Sequence, residues 1–123
     1  VCSIKDNKLF IGLSGNPAAA MITFELLVKP LIHRSFGLSH LPKVVKGKLM
    51  KGFSKVRNQM CFLRAYSYLE DGEILTELTG MQNPGVMKSI LTSNSLIIIP
   101  AGVGPLKAGE MVDIILTKEM EVV

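Results

Sequence analysis

The segment Gly12-Leu13-Ser14-Gly15-Asn16-Pro17 decides how this chain is interpreted. The run Lys8–Leu13 that leads into it is short and apolar, which is typical of a strand buried on both faces of a parallel sheet. Asn16 is a favoured helix cap, and Pro17 fits the first helical position, where its missing N–H costs nothing. The segment therefore predicts a strand, a tight turn and a helix in succession.

The helix is predicted to run from Pro17 to about Ser35, with Pro30 kinking it and Gly37 ending it. Its apolar residues surround most of the circumference, so it must be covered on more than one side. One strand and one helix cannot bury such faces alone. We therefore expect the rest of the sheet to precede Val1, in a longer protein from which this chain is a piece.

After Leu41 the sequence changes to short alternating strands separated by turn signals, including a hairpin turn at Glu70-Asp71-Gly72-Glu73. About five strands over this stretch suit a small all-β barrel. The predicted domains are residues 1–41 and 42–123. The predicted strands are Lys43–Leu49, Gln59–Tyr68, Ile74–Thr79, Leu96–Ile99 and Met111–Leu116, with a short helical piece near Val86–Thr92.

Composition excludes several classes of protein. No apolar run approaches the roughly 20 residues that a membrane span requires, so we expect a soluble protein with no membrane partner. Cys2 and Cys61 lie in unlike contexts, which favours free thiols in a cytoplasmic protein. His33 and His40 have no cysteine or carboxylate at metal-ligand spacing, so no metal ligand is predicted in this chain.

The turn at Gly12–Pro17 is also the most informative place for chemistry. Exposed N–H groups and the dipole at a helix N-terminus favour a bound anion, and glycine lets a phosphate approach the backbone. A tight turn with a capped helix and no ligand is the structural alternative.

A second candidate feature is a run of basic residues without an intervening acid. It comprises Lys43, Lys46, Lys48, Lys51, Lys55 and Arg57. Such a run suits a phosphate-rich partner, but only Phe53 supplies an aromatic ring, so it lacks a stacking platform for single strands. Lysines that alternate along a strand also make an outer face soluble and discourage edge pairing, and this interpretation is preferred.

The Gly12–Pro17 segment and the helix sequence after it resemble the Gly-Leu-Pro-Gly-Asn-Pro segment of molybdopterin molybdenumtransferases. These are the molybdenum insertases of the MoeA and gephyrin E-domain type. Phe62-Leu63-Arg64 resembles a barrel strand of that family, and Gly80–Gly85 resembles its Gly-x-Gln-Gly-Ser loop. Ala101-Gly102-Val103 and the sequence Leu106–Glu110 resemble its closing turn, so the resemblance covers essentially the whole chain.

The resemblance implies a mixed fold: the C-terminal strand and helix of an α/β molybdopterin-binding domain, followed by a small all-β barrel domain. It implies a homodimeric parent enzyme that transfers molybdate to adenylylated molybdopterin with Mg²⁺ and releases AMP in molybdenum cofactor biosynthesis. This chain alone is expected to be inactive and to bind no cofactor.

The substrate-binding residues that the resemblance implies are Gly12, Ser14, Gly15, Asn16, Pro17, Arg64, Gln82 and Asn83; the catalytic residues are not identified. Three departures from the family pattern bear on this set. Ser14 replaces the usual proline and adds a hydroxyl donor. Pro84 replaces a serine hydroxyl, and Asn58-Gln59 replaces a Gly-Arg pair. For Arg64, an outward-facing strand residue in a surface ion pair is the structural alternative.

Two other classes of function remain open at this point. One is a non-enzymatic barrel that binds nucleic acid or an acidic partner through its basic first strand, although we do not expect nucleic acid. The other is a purely structural module that packs against other domains and shapes a dimer.

Overall fold

The computed structural model describes residues 1–80 and 87–123, so the candidate residues Gln82 and Asn83, and also Pro84, lie outside the described residues. The chain forms two compact units. The first consists mainly of Val1–Pro42, and the second contains most of the chain from Lys43 onward.

A two-stranded hairpin opens the first unit. Strand β1 (Cys2–Lys5) pairs antiparallel with β2 (Lys8–Ile11). Asp6 and Asn7 take φ values of 50° and 58°, the left-handed turn that matches the twist of a two-residue hairpin. The prediction of a strand buried in a parallel sheet is wrong for the described chain, because this turn folds β2 back on β1. Phe10 in β2 is 53% exposed.

The long helix follows, and it changes its winding ahead of Pro30. It consists of α1 (Pro17–Thr23), a π-helical segment (Phe24–Val28) and α2 (Lys29–Ser35). Pro30 lacks an N–H, and its ring would collide with a carbonyl one turn earlier in a regular α-helix. The wider π turn, in which the Lys29 N–H bonds to the Phe24 carbonyl, lies immediately before it.

The predicted helix end is confirmed. Gly37 adopts a φ of 70°, and its N–H donates to the Arg34 carbonyl at 3.1 Å. The Leu38 N–H reaches back to the His33 carbonyl at 2.9 Å. Together these bonds form a Schellman cap, which requires a left-handed residue at the position of the glycine.

The second unit is a closed five-stranded barrel, which confirms the predicted barrel. Its strands follow one another around the wall in the order β5-β3-β7-β6-β4, and pairing of β4 with β5 closes the ring. The strands are β3 (Val44–Leu49), β4 (Cys61–Glu70), β5 (Glu73–Leu78), β6 (Ser95–Ile99) and β7 (Met111–Leu116), with helix α3 (Met87–Thr92) between β5 and β6.

Strand β4 holds the barrel together because it is long enough to pair on both sides. Its first half pairs with β6 and its second half with β5, across the predicted Asp71-Gly72 turn. Alternate residues enter the core, as a half-buried strand requires. The buried core cluster comprises Leu49, Leu63, Ala65, Ile97, Ile99, Val112 and Ile114.

A short strand near the end of the chain was not predicted. Strand β8 (Glu121–Val122) pairs parallel with β4 at Tyr68 and Leu69. The Tyr66 hydroxyl donates to the Glu121 carboxylate at 2.5 Å and fastens β8 to the outside of the barrel.

Candidate functional site

The turn between β2 and the helix is stabilised by its own polar groups. The Asn16 Oδ1 accepts hydrogen bonds from the Ala18 N–H at 3.0 Å and the Ala19 N–H at 3.5 Å, so the predicted cap is confirmed. Ser14 Oγ accepts from the Asn16 N–H at 3.1 Å. Pro17 occupies the first helical turn, where no N–H is needed.

These bonds change which groups the turn offers to an anion. The expectation from the sequence relied on the N–H groups at the helix start, but Asn16 and Ser14 already accept three of them. Residues Leu13, Ser14 and Gly15 are exposed, and within the described part of the chain their backbone N–H groups have no hydrogen-bond acceptor. The Ser14 hydroxyl also retains its proton as a donor. The anion-binding potential therefore lies in the turn rather than in the helix start.

The space around Gly15 is open. A methyl group built on its backbone meets no other described atom within 4 Å, and its φ lies outside the left-handed region. Gly12, at the start of the turn, donates its N–H to the Val1 carbonyl at 2.8 Å. Neither the backbone conformation nor packing within the described residues explains why a glycine occupies position 15.

Arg64 lies where helix α3 packs against the barrel. Its side chain leaves β4 on the face opposite the core residues Leu63 and Ala65, yet only 4% of Arg64 is exposed. Arg64 Nε donates to the Ser89 hydroxyl of α3 at 3.2 Å. The alternative of an outward-facing residue in a surface ion pair is wrong, because α3 covers this part of the barrel wall.

The surroundings of Arg64 are polar and buried. Thr79 donates its N–H to the Arg64 carbonyl at 3.1 Å and its Oγ1 to the Ser89 carbonyl at 3.2 Å. Desolvation by burial lowers the pKa of the Arg64 guanidinium below its ordinary value. A guanidinium stays charged in proteins nonetheless, so Arg64 is a buried cation between the barrel wall and α3.

Three of the six residues in the basic run at the start of the barrel lie beside acids on neighbouring strands. Lys46 lies 2.7 Å from Asp113 and Lys48 lies 2.9 Å from Glu73. Lys51 lies 3.9 Å from Glu77. These pairs join β3 and the segment after it to the neighbouring strands β5 and β7. They agree with the preferred interpretation, in which the lysines make the outer face of the strand soluble.

Each unit also carries a groove, and neither groove includes a predicted site residue in its lining. The groove of the first unit has a volume of about 350 Å³ and is lined mainly by apolar residues such as Ile11, Leu26 and Leu31. The groove of the second unit measures about 600 Å³ and lies beside β8, between Lys43 and Met120.

In residues 1–80 and 87–123, no three His, Cys, Asp or Glu side chains converge as metal ligands would. No helix in the same residues is long and apolar enough to cross a membrane.

Comparison with known proteins assigns the family. Residues 46–117, which include all five barrel strands apart from the start of β3, match the model of the MoeA C-terminal region, domain IV. The chain belongs to the MoeA family. It is thus a homologue of a domain that takes part in molybdenum cofactor biosynthesis.

Relatives in that family match a larger part of the chain than the barrel. Molybdopterin molybdenumtransferase of Staphylococcus aureus is 37% identical over 114 residues, which is 92% of this chain and 27% of the relative. The same enzyme of Staphylococcus epidermidis is 35% identical over an equal length. The chain thus spans about a quarter of the length of these curated relatives.

Solved structures agree with the fold. A molybdopterin biosynthesis MoeA protein from Pyrococcus horikoshii superposes with a TM-score of 0.76 at 26% identity, covering 96% of this chain and 28% of that one. A second structure of the MoeA protein from the same organism gives a TM-score of 0.66, also at 26% identity, over 84% of this chain.

Sequence reasoning missed the residues that surround Arg64. Ser89 and Thr79 are 4% and 8% exposed, and both bond to Arg64 or to one another. A polar residue at each boundary of the segment from Gly80 to Lys88 was the available signal. The sequence alone does not show that these two polar residues lie together, because only the fold brings both of them next to Arg64 in β4.

Proposed function

We propose that this chain is the C-terminal part of a molybdenum insertase, which transfers molybdate to adenylylated molybdopterin and releases AMP. In this proposal the chain contributes one wall of the substrate site, not a complete catalyst. Residues 1–41, which form a β-hairpin and a helix, are the C-terminal part of an α/β molybdopterin-binding domain, and residues 42–123 are the barrel domain that follows. The parent protein is a cytoplasmic homodimer.

The observation that carries the proposal is the open turn at Gly15. A glycine that neither its backbone angles nor its described neighbours require is explained if a ligand approaches the backbone there. The exposed N–H groups of Leu13, Ser14 and Gly15 suit an oxyanion such as a phosphate or molybdate. Membership of the MoeA family supplies substrates that carry those groups.

The other substrate residues in the proposal are Asn16, Pro17, Arg64, Gln82 and Asn83. Asn16 and Pro17 shape the turn, because the amide cap and the fixed φ of proline set where the helix begins. Gln82 and Asn83 enter only through the resemblance, since they lie outside the described residues. Gly12 holds the start of the turn to the chain near Val1.

The Mg²⁺ of the proposed reaction does not fit the residues of this chain that the structure describes. Hard cations of this kind bind carboxylate and other oxygens, and the described residues bring no group of three potential ligands together. We therefore assign the Mg²⁺ ligands to the upstream part of the parent and derive no step through the ion here.

The test is the time course of AMP release from adenylylated molybdopterin in the presence of molybdate and Mg²⁺. The natural protein that carries this chain is expected to release AMP and yield molybdenum cofactor, whereas the isolated 123-residue chain is expected to release none. Turnover by the isolated chain would contradict the partial site. Inactivity of the natural protein would overturn the proposed reaction.

A further inference from the structure

Two loops lie together at one end of the barrel and form one surface, which we call the loop platform. The platform comprises residues 50–60, between β3 and β4, and residues 100–110, between β6 and β7. Both loops leave the barrel at the same end, because β3 and β6 each run antiparallel to β7, and β4 runs antiparallel to β6. Phe53 and Leu106 exchange two backbone hydrogen bonds of 2.8 Å. The Gly102 N–H donates to the Arg57 carbonyl, also at 2.8 Å, so the two loops are joined at more than one point.

The platform is basic and exposed. It holds one acidic residue, Glu110, against four basic residues, which gives it a formal charge of +3. The basic residues are Lys51, Lys55, Arg57 and Lys107. All five residues are exposed. Such a concentration of one sign of charge creates a potential that extends beyond the protein surface.

Three of these cations have no neutralising partner. Segment 81–86 contains no Asp or Glu, so every acidic side chain of this sequence belongs to the residues that the structure describes. Within those residues, no carboxylate forms an ion pair with Lys55, Arg57 or Lys107. Lys46 on the barrel wall differs, because it lies beside a carboxylate of β7. The platform therefore keeps its positive potential, whereas the charge of this wall lysine is neutralised.

We propose that Lys55, Arg57 and Lys107 attract the anionic substrate of the insertase to this end of the barrel at long range, without contacting it directly. This inference rests on the proposed function, whose substrate, adenylylated molybdopterin, carries negatively charged phosphates. Arg64 is the described substrate residue of this unit. It lies three positions after Cys61, where the platform joins β4, and six positions before the other end of the strand. The platform thus occupies the end of β4 that is nearer to Arg64.

The size of the expected effect follows from the charges. In water, a unit cation about 10 Å from a doubly charged anion raises the local concentration of the anion about fourfold, by Coulomb's law. Salt screens this attraction over a Debye length of about 30 Å at 0.01 M, but of only about 3 Å at 1 M. Long-range attraction therefore lowers KM at low ionic strength and leaves kcat unchanged, because it favours arrival of the substrate and not the chemical step.

The experiment measures AMP release by variants of the natural protein that carries this chain, at low and at high salt. Lys55→Gln removes one charge, and the triple variant Lys55→Gln, Arg57→Gln, Lys107→Gln removes three. A second triple variant, Lys55→Arg, Arg57→Lys, Lys107→Arg, keeps every charge but changes the hydrogen-bonding geometry. Lys43→Gln is the matched control. Lys43 is exposed and has no ion pair among the described residues, but it lies at the opposite end of β3.

We expect Lys55→Gln to lower kcat/KM for adenylylated molybdopterin about fourfold at roughly 0.01 M salt, and the triple glutamine variant to lower it roughly tenfold or more. Both losses should arise in KM, with kcat unchanged. The charge-keeping triple variant should match the unaltered protein. Lys43→Gln should stay within about twofold of it, because attraction falls with distance. At about 1 M salt all of these proteins should have the same kcat/KM.

Three results would overturn the inference while the proposed function stands. The first is an unchanged kcat/KM of the triple glutamine variant at low salt. The second is a loss that persists at high salt or also occurs in the charge-keeping variant, since either would show direct contact. The third is an equal loss for Lys43→Gln and Lys55→Gln, which would assign the effect to net charge and not to the platform. Inactivity of the unaltered protein is a different outcome, which overturns the proposed function and this inference together.

Discussion

The side-chain amide of Asn94 pairs with both backbone groups of Ser67: Oδ1 accepts from the Ser67 N–H at 2.8 Å, and Nδ2 donates to the Ser67 carbonyl at 2.8 Å. Strand β6 begins one residue later, at Ser95, which pairs with Ala65. The side chain of Asn94 thus makes two hydrogen bonds to β4 of the kind that the backbone of a neighbouring strand would make, one residue before β6 begins. Its own carbonyl accepts from the Thr117 N–H at 2.9 Å and joins β7 to the same point.

Replacing Asn94 by alanine should destabilise the barrel by about 3 kcal/mol, because two buried backbone groups of Ser67 lose their partners. Urea unfolding of the chain, followed by circular dichroism, measures this loss. Asn94→Asp should be damaging as well, since a carboxylate cannot donate to the Ser67 carbonyl. Asn58→Ala, in an exposed loop position, is the control. Equal stability of the Asn94 and Asn58 variants would refute the structural role.

Gly104 should tolerate no side chain. A methyl group there would lie 2.9 Å from the Lys55 carbonyl oxygen, and its φ of 134° is one that L residues rarely adopt. Gly104→Ala should lower the free energy of unfolding by roughly 3 kcal/mol, the sum of strain and collision. Gly109→Ala separates the two terms, because Gly109 has a φ of 90° but open space, and should cost only roughly 1 kcal/mol. A larger loss at Gly109 than at Gly104 would be inconsistent with this packing.

The contact between Tyr66 and Glu121 makes the free energy of unfolding depend on pH in the alkaline range. The hydrogen bond to Glu121 raises the pKa of the Tyr66 phenol above its ordinary value, with desolvation as the next cause. A phenol whose pKa is higher in the folded than in the unfolded state stabilises the fold. This stabilisation is fully present below the ordinary pKa of about 10 and is lost as pH rises through the pKa of the folded state. Stability should therefore fall in that alkaline range.

Titration of the phenolate absorbance checks this dependence on pH. Tyr68→Phe leaves Tyr66 as the sole tyrosine, since the chain has two. In that background Tyr66 should ionise above the usual range for a phenol, and Glu121→Gln should bring its pKa down. An unchanged titration curve after Glu121→Gln would show that the bond does not control the phenol.

The electrostatic alternative to an enzyme function predicts binding of a random oligonucleotide with a steep dependence on salt. Lys46, Lys48 and Lys51 each lie beside a carboxylate, which reduces the charge that the basic run presents. We expect the chain to show no saturable binding by fluorescence anisotropy at physiological salt. Saturable binding whose affinity falls steeply with added salt would restore the alternative.

Local chemistry made much of the fold predictable. The Asn16 cap, the Gly37 helix end and the Asp71-Gly72 hairpin each depend on a few adjacent residues, whose preferences are strong. The Asp6-Asn7 turn was not predicted, because the apolar run after it suggested a strand of a parallel sheet. An apolar run of this length cannot by itself distinguish the two kinds of strand.

What the sequence left undetermined depends on contacts across the fold. The sequence offered an outward-facing Arg64 in a surface ion pair as the structural alternative, but only the packing of α3 shows that this side chain is buried. Strand β8 has two residues, too few for any periodic pattern, and the Tyr66–Glu121 hydrogen bond accompanies its pairing with β4. The residue types identified the turn at Gly15 as a candidate site. Only the structure shows that Asn16 and Ser14 already accept hydrogen bonds from the N–H groups at the start of the helix.

The most direct test of the central claim, that the Gly15 turn binds the substrate, is the KM for adenylylated molybdopterin of Gly15→Val in the natural protein. Since a Cβ atom built at this position meets no described atom within 4 Å apart from its chain neighbours, stability to urea should be unchanged. We predict a rise in KM of roughly tenfold or more, with no rise for Ser3→Val, which alters an exposed site on β1. A Gly15→Val protein of normal stability and unchanged KM would contradict the account.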